Sequence, residues 1–156
     1  MRENIIAISR LFRDKVELFN KDYAVILRQA NKEDLIYMDP PYQGVCNGND
    51  PRYFSDFSHT NFIDQLEFLN QKGIPFIVSY DGKTGSKSYG EFLPDKLNMI
   101  RKEINAGISS QHTLVGEKSE TIESLYLSPS LVKKLKNSGR NPNSEFFLSD
   151  RTLFSN

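Results

Sequence analysis

The sequence predicts an α/β domain with a largely parallel sheet. Apolar runs of strand length at 35–38 and 74–80 alternate with segments whose apolar residues recur at helical spacing, most clearly at 58–73. Strands that alternate with helices are typical of a sheet flanked by helices. The 156 residues fit one domain and suffice to bury a core.

The N-terminal part is predicted to contain two helices and two strands. Residues 3–14 place apolar side chains on one helical face, and residues 15–20 alternate apolar and polar side chains as a strand does. Asp22 stands where an N-cap would stand, before a short helix at 23–30. The continuous apolar run at 35–38 is typical of a strand covered on both faces.

The second part of the chain continues the alternation. Ser58 or Thr60 can cap the helix that Gly73 ends, and strands are predicted at 74–80, 98–105 and 123–128. Residues 79–90 are rich in Gly, Ser and Lys, which predicts a mobile loop. A domain is therefore expected at 1–130, followed by a polar tail at 131–156 that is peripheral or partly disordered.

Composition excludes several classes of protein. Lys plus Arg equals Asp plus Glu at 20 each, so any nucleic-acid contact must come from a local patch. One cysteine, Cys46, cannot form an intramolecular disulfide, and two histidines do not complete a Cys/His zinc site. The N-terminus is unlike a signal peptide and no apolar run has membrane-spanning length. We therefore expect a cytoplasmic protein without a structural metal.

The motif Asp39-Pro40-Pro41-Tyr42 directly follows the run at 35–38. Ligands of such sheets bind outside the carboxyl ends of the strands. Two prolines fix the backbone and remove two donors, which leaves a rigid rim with carbonyl oxygens facing outward. The Asp39 carboxylate, the Pro40 carbonyl and the Tyr42 ring suit a planar amine such as adenine. The alternative is a strand-ending turn that happens to contain an acid.

The segment LIYMDPPY resembles the catalytic motif of the Dam-like adenine-N6 DNA methyltransferases. Further segments also resemble that family, from about residue 5 to 130: KVELFNKDY, YFSDFSHTNFIDQLEFLNQKG, PFIVSYDG and INAGISSQHTLVGEKSETIESLYLSP. The resemblance implies a Rossmann-like methyltransferase domain that transfers a methyl group from S-adenosylmethionine to adenine in DNA.

The resemblance also implies roles for individual residues. Asp39 and Pro40 would hold the target amine, Tyr42 would stack on the base, and Asp39 would also lie near the donor. The target adenine must be flipped out of the duplex to reach them. Asp22 would contact the adenine or ribose of the donor, although a plain helix N-cap is an equal alternative.

Phe54, or Tyr53 beside it, would close the far side of the base pocket, with core packing as the alternative role. No chemistry is assigned to Ser79, Tyr80 or Asp81 at the end of the neighbouring strand. The loop at 82–90 and the hairpin at 107–120 are the expected DNA contacts.

The donor site of the family needs an N-terminal strand and a glycine-rich turn of the Phe-x-Gly-x-Gly type, and neither is present in this sequence. Residues 1–130 are therefore expected to be the catalytic half of a partial methyltransferase sheet that lacks its N-terminal strands. The chain would be one subunit of a split enzyme, in which an N-terminal methyltransferase subunit supplies the donor-binding turn, or the product of a truncated gene. The open sheet edge would invite such a partner.

Other functions stay open at this point. The chain could methylate another planar amine, such as cytosine N4, RNA adenine or a glutamine amide. Methylation of cytosine C5 is disfavoured, because that reaction needs a cysteine after proline and Cys46 follows Val45. An inactive subunit that binds DNA or a partner is a different class of function, and a nucleotide-binding module of another kind lacks a phosphate-cradling turn.

Overall fold

The protein is built on a mixed sheet with one long helix packed against it, and the computed structural model describes residues 2–13, 15–41, 57–108 and 120–142. The helices are α1 (Arg2–Phe12), α2 (Tyr23–Leu27), α3 (His59–Lys72) and α4 (Pro129–Asn137), with a single 3-10 turn at Asp95–Leu97. The strands are β1 (Ile36–Met38), β2 (Phe76–Thr84), β3 (Lys87–Tyr89), β4 (Ile100–Ile108) and β5 (Glu120–Leu127).

The strand order of the sheet is β1-β2-β5-β4, and β3 pairs with β2 beside this path. The predicted α/β class is confirmed. The prediction of mostly parallel pairing holds only for β1 and β2, because the three other described pairings are antiparallel. A parallel pair needs a long crossover, usually helical, and α3 supplies it between β1 and β2.

Helix α3 carries the main core, as its apolar spacing predicted. Ser58 caps its first turn by accepting a hydrogen bond from the Asn61 amide, and Gly73 follows its last residue. Phe62, Leu66 and Leu69 are buried on its inner face. They belong to one cluster with Phe76, Val78 and Tyr80, the three inward-facing residues of β2. The helix is thereby fixed over the strand that neighbours β1.

The N-terminal segment differs from its prediction. Helix α1 is confirmed but has no buried residue. The strand predicted at 15–20 is wrong, since these residues form neither strand nor helix, and Leu18 is 89% exposed. Alternating polarity makes a strand only where a neighbouring backbone completes the ladder. In the part of the chain that the structure describes, no strand pairs with this segment.

Strand β1 is confirmed, but its coverage on both faces is not. Leu35 just before it is 59% exposed and Tyr37 within it is 62% exposed. Among the described strands β1 pairs with β2 alone, so it forms one edge of the sheet. An apolar run at an uncovered edge has the same sequence as a strand buried on both faces, which explains the error.

The mobile loop predicted at 79–90 is wrong. Strand β2 continues to Thr84, and a turn leads into β3. Gly82 is required within β2, because a Cβ at this position would lie 2.6 Å from the Ile122 carbonyl oxygen of β5. Glycine in a strand marks such a close backbone approach as often as a loop.

The polar segment after β5 begins with a helix. Ser128 caps α4 through the Leu131 amide, and Val132 is its buried residue. The division of the chain at residue 130 stays a prediction, and residues 143–156 lie outside the described ranges. None of the helices described here is both long and apolar enough to cross a membrane.

Candidate active site

Strand β1 ends beside the first part of β2, at one side of the described sheet. The two strands run parallel, with Met38 beside Val78. Residues 39–41 continue past the end of β1, where Asp39 is exposed and both prolines are half-buried. The carboxylate therefore lies outside the packed core, at the edge where ligands of such sheets bind.

Two of the residues predicted for the base pocket lie outside the described residues. These are Tyr42 and Phe54, together with Tyr53, the alternative to Phe54. Their roles stay predictions, as do those of Asp39 and Pro40 toward the amine.

Asp22 has the geometry of a helix cap. Its Oδ1 atom accepts a hydrogen bond of 2.9 Å from the Ala24 amide at the start of α2, and the residue is exposed. Burial and the nearby Asp22 charge raise the pKa of the Tyr23 hydroxyl above its ordinary value. The capping role is thus visible, and contact with a methyl donor stays a prediction.

Aromatic rings connect the start of α2 with the middle of β2. The Tyr23 ring centroid lies 6.4 Å from that of Phe57 and 6.2 Å from that of Phe62. Phe62 in turn stacks on Tyr80 at 5.8 Å. Tyr80 follows Val78 by two residues, as Pro40 follows Met38. The ring contacts therefore connect the helix that Asp22 caps with Tyr80 of β2, the strand that pairs with β1 before the Asp-Pro-Pro motif.

Tyr80 and His59 form a pair that sequence reasoning missed. The Tyr80 hydroxyl lies 2.5 Å from His59 Nδ1, and the two rings stack with centroids 5.6 Å apart. Tyr80 is fully buried, and His59 is the first residue of α3. In the Nε2–H tautomer of the imidazole, Nδ1 accepts the hydroxyl hydrogen. The neighbouring cap at Ser58 gave the only signal, because it placed His59 at a helix start.

Asp81, to which the sequence analysis assigned no chemistry, has a buried carboxylate. Its side chain is only 2% exposed. The Tyr126 hydroxyl donates to Oδ2, and Arg101 Nη2 donates to Oδ1 at 2.8 Å. Burial, followed by the hydrogen bond to Asp81, raises the pKa of Tyr126 to about 12. Burial alone would lower the pKa of Arg101, but its hydrogen bonds to Asp81 and Glu103 raise it above its usual value.

A small cavity of about 130 Å³ adjoins this network. Its lining includes Phe92, Leu93, Met99, Arg101 and Tyr126. The Phe92 ring covers the Arg101 guanidinium, with its centroid 4.4 Å from the central carbon. The cavity lining thus places the buried Tyr126 hydroxyl and the Arg101 guanidinium, which stacks on Phe92, at one end of the sheet.

Comparison with known families decides the class of the protein. A family model described as D12 class N6 adenine-specific DNA methyltransferase matches residues 1–137. The chain belongs to this family. The match spans the Asp-Pro-Pro motif, the aromatic contacts and the Asp81 network described above. No curated protein matches the sequence.

As a D12 class methyltransferase, the protein is an enzyme that methylates N6 of adenine in DNA. The prediction drawn from the segment LIYMDPPY is thereby confirmed. DNA is the substrate of a D12 methyltransferase, and the reaction consumes a methyl donor.

Proposed function

We propose that Asp39 and Pro40 bind the exocyclic amine of a flipped-out adenine and that the methyl donor is S-adenosylmethionine. The observation that carries the proposal is the position of Asp39. In a chain of the D12 family, its carboxylate is exposed directly after β1, at the carboxyl edge of the sheet.

The chemistry of the amine explains why two acceptors are needed. The lone pair of the adenine amino nitrogen is delocalised into the ring, so the group is a weak nucleophile. An Asp39 carboxylate and a Pro40 carbonyl would accept its two hydrogens and stabilise the positive charge that develops on nitrogen. Acceptors held by a proline-stiffened backbone need little reorganisation during the reaction.

A base inside a duplex cannot present its amine to this rim, so the adenine must leave the stack. We assign Tyr42 the role of stacking on the extruded base, and Phe54 or Tyr53 the role of closing the other side. Aromatic side chains suit this purpose because every base has a flat π face.

Two carboxylates could accept hydrogen bonds from the methyl donor. S-adenosylmethionine supplies an electrophilic methyl group, and its ribose hydroxyls and ammonium group are hydrogen-bond donors. Asp22 and Asp39 are exposed acceptors, and the ring contacts from Tyr23 to Tyr80 link the elements that carry them. The acceptors fit such a donor, although the glycine-rich turn of the family does not occur in the sequence.

We further propose that an N-terminal methyltransferase subunit supplies that turn. Supporting this, β1 pairs on one side only among the described strands, and Leu35 and Tyr37 are exposed along it. Helix α1 has no buried residue and presents Ile5, Ile8 and Leu11 to its surroundings. A partner would cover these apolar side chains and complete the backbone ladder. The complete enzyme would act on DNA in the cytoplasm.

The test is a methyl-transfer assay with labelled S-adenosylmethionine on DNA that lacks adenine methylation. The chain is assayed alone and with the product of a neighbouring reading frame that carries the Phe-x-Gly-x-Gly turn. Labelled N6-methyladenine is the expected product, with the larger amount in the mixture. Label in cytosine, or none in either reaction, would contradict the proposed chemistry and favour a subunit that only binds DNA or a partner.

A further inference from the structure

We propose that Asp81 is a positioning residue for methyl transfer. Its buried contacts with Tyr126 and Arg101 hold the middle of β2 so that the Tyr80–His59 pair borders the rim at 39–41. This inference rests on the proposed function of that rim and adds residues to which no chemistry was assigned. Asp81 acts through its neighbours, without touching the substrate itself.

The first support is the burial of the carboxylate. Asp81 is 2% exposed, and an unpaired carboxylate at such a site would be strongly disfavoured. Its two partners come from different strands: Tyr126 lies in β5 and Arg101 in β4. One side chain in the middle of β2 thereby ties this strand to the last residues of β5 and the first residues of β4.

The second support is the backbone around Asp81. The register of β2 against β5 shifts between Ser79 and Gly82, so Asp81 sits in an irregular part of the ladder. Gly82 approaches the Ile122 carbonyl too closely for any Cβ. Gly90 has a φ of 78°, and a Cβ there would lie 3.6 Å from the Cβ of Asp81. Gly82 therefore permits the close approach of β2 to β5 beside Asp81, and Gly90 supplies a left-handed backbone next to the Asp81 side chain.

The third support is the path from Asp81 to the rim. Tyr80 precedes Asp81 directly, and its ring is fixed between Phe62 and His59. Its hydroxyl is bonded to His59 at the start of α3. Because Met38 pairs with Val78, Pro40 and Tyr80 each lie two residues beyond the last parallel pair. A displacement of Asp81 would therefore also displace the adjacent Tyr80 relative to Pro40.

Arg101 provides a matched control, because it bonds a second carboxylate. Arg101 Nη1 donates to Glu103 Oε1 at 2.9 Å, and Glu103 is exposed. The Glu103→Gln variant removes this exposed ion pair and leaves the bonds to Asp81 in place. Exposed pairs contribute little to stability.

The experiment compares Asp81→Asn and Tyr126→Phe with native protein and Glu103→Gln, well below each thermal midpoint. Misplacement of a reacting group by about 1 Å can cost about a hundredfold in rate. For Asp81→Asn and Tyr126→Phe we expect kcat to fall about ten- to a hundredfold, whereas the KM for DNA and donor changes less than about twofold. Glu103→Gln should keep the native kcat.

A second readout needs no activity. The chain has two histidines, so nitrogen-15 spectra of the imidazoles are assigned by comparison with His112→Gln. Native His59 should show one fixed tautomer, and Asp81→Asn and Tyr126→Phe should show a mixture because Tyr80 is displaced. Native protein that is inactive even with the proposed subunit present would refute the proposed function, and the spectra would still test the positioning. Native kcat in folded Asp81→Asn, or an unchanged His59 spectrum in both variants, would overturn the inference.

Discussion

Met38 of β1 lies directly beside Val78 of β2 in parallel register, so the chain leaves the sheet after Met38 at a point where β2 continues for six more residues, to Thr84. Asp39 thus emerges next to the segment that contains Tyr80 and Asp81. One strand end carries an exposed acid, and its neighbour carries a buried acid held by two partners. The exposed group is suited to bind a substrate, and the buried group is suited to fix the backbone beside it.

Asp39→Ala should abolish methyl transfer without unfolding the protein. The side chain is exposed, so its loss should change the free energy of unfolding by less than about 0.5 kcal/mol. Loss of a preorganised acceptor should lower kcat by at least about a hundredfold. Labelled methyl transfer and urea unfolding measure the two quantities. Asp64→Ala, which removes an exposed acid of α3, is the control and should keep native activity. Retained methyl transfer by Asp39→Ala would contradict the proposed role of Asp39 in binding the amine.

Asp22 variants separate capping from donor binding. Asp22→Ala removes the acceptor for the Ala24 amide and should cost about 1 kcal/mol of stability, whereas asparagine preserves the cap. Both variants should weaken binding of S-adenosylmethionine if the charge contacts the donor. Calorimetric titration, with the proposed subunit present, measures that affinity. If Asp22→Asn bound S-adenosylmethionine with native affinity, the role of Asp22 would be limited to capping α2.

Alkaline pH should destabilise the fold through Tyr126. Burial and the bond to Asp81 raise the pKa of its hydroxyl from 10.0 to about 12. The folded state holds this proton more tightly, so the stabilisation is present below pH 10 and is lost as pH rises through 12. Tyr23 also has a raised pKa, so the relevant quantity is the difference in urea midpoints between native protein and Tyr126→Phe. Parallel declines of the two proteins above pH 10 would contradict this assignment.

Leu66→Ala should destabilise the protein by about 2–5 kcal/mol, because it leaves a cavity under α3 where the side chain is fully buried. Leu18→Ala removes the same atoms from a site that is 89% exposed and should have little effect. The difference in denaturant midpoints between the two variants measures the contribution of burial. Equal midpoints would show that α3 is not packed as described.

Local patterns predicted the elements that depend on neighbouring residues. The α3 spacing, the Ser58 cap and the Asp22 cap were readable because each involves residues within a few positions. The pattern at 15–20 failed because a strand depends on a distant partner. Asp81 was missed for a similar reason: its partners lie 20 and 45 positions away, and no local pattern reveals them. Asp39 could be proposed from the sequence because the motif itself directly follows a predicted strand, and its role stays a prediction.

Helix α1 is eleven residues long and has no buried side chain. Isolated helices of this length are marginal in water, so its amides should exchange with deuterium far sooner than those of α3. Slow exchange in α1 would then appear only when another surface covers it. Deuterium uptake at Arg2–Phe12 is therefore a direct measure of whether, and how tightly, the proposed partner subunit is bound.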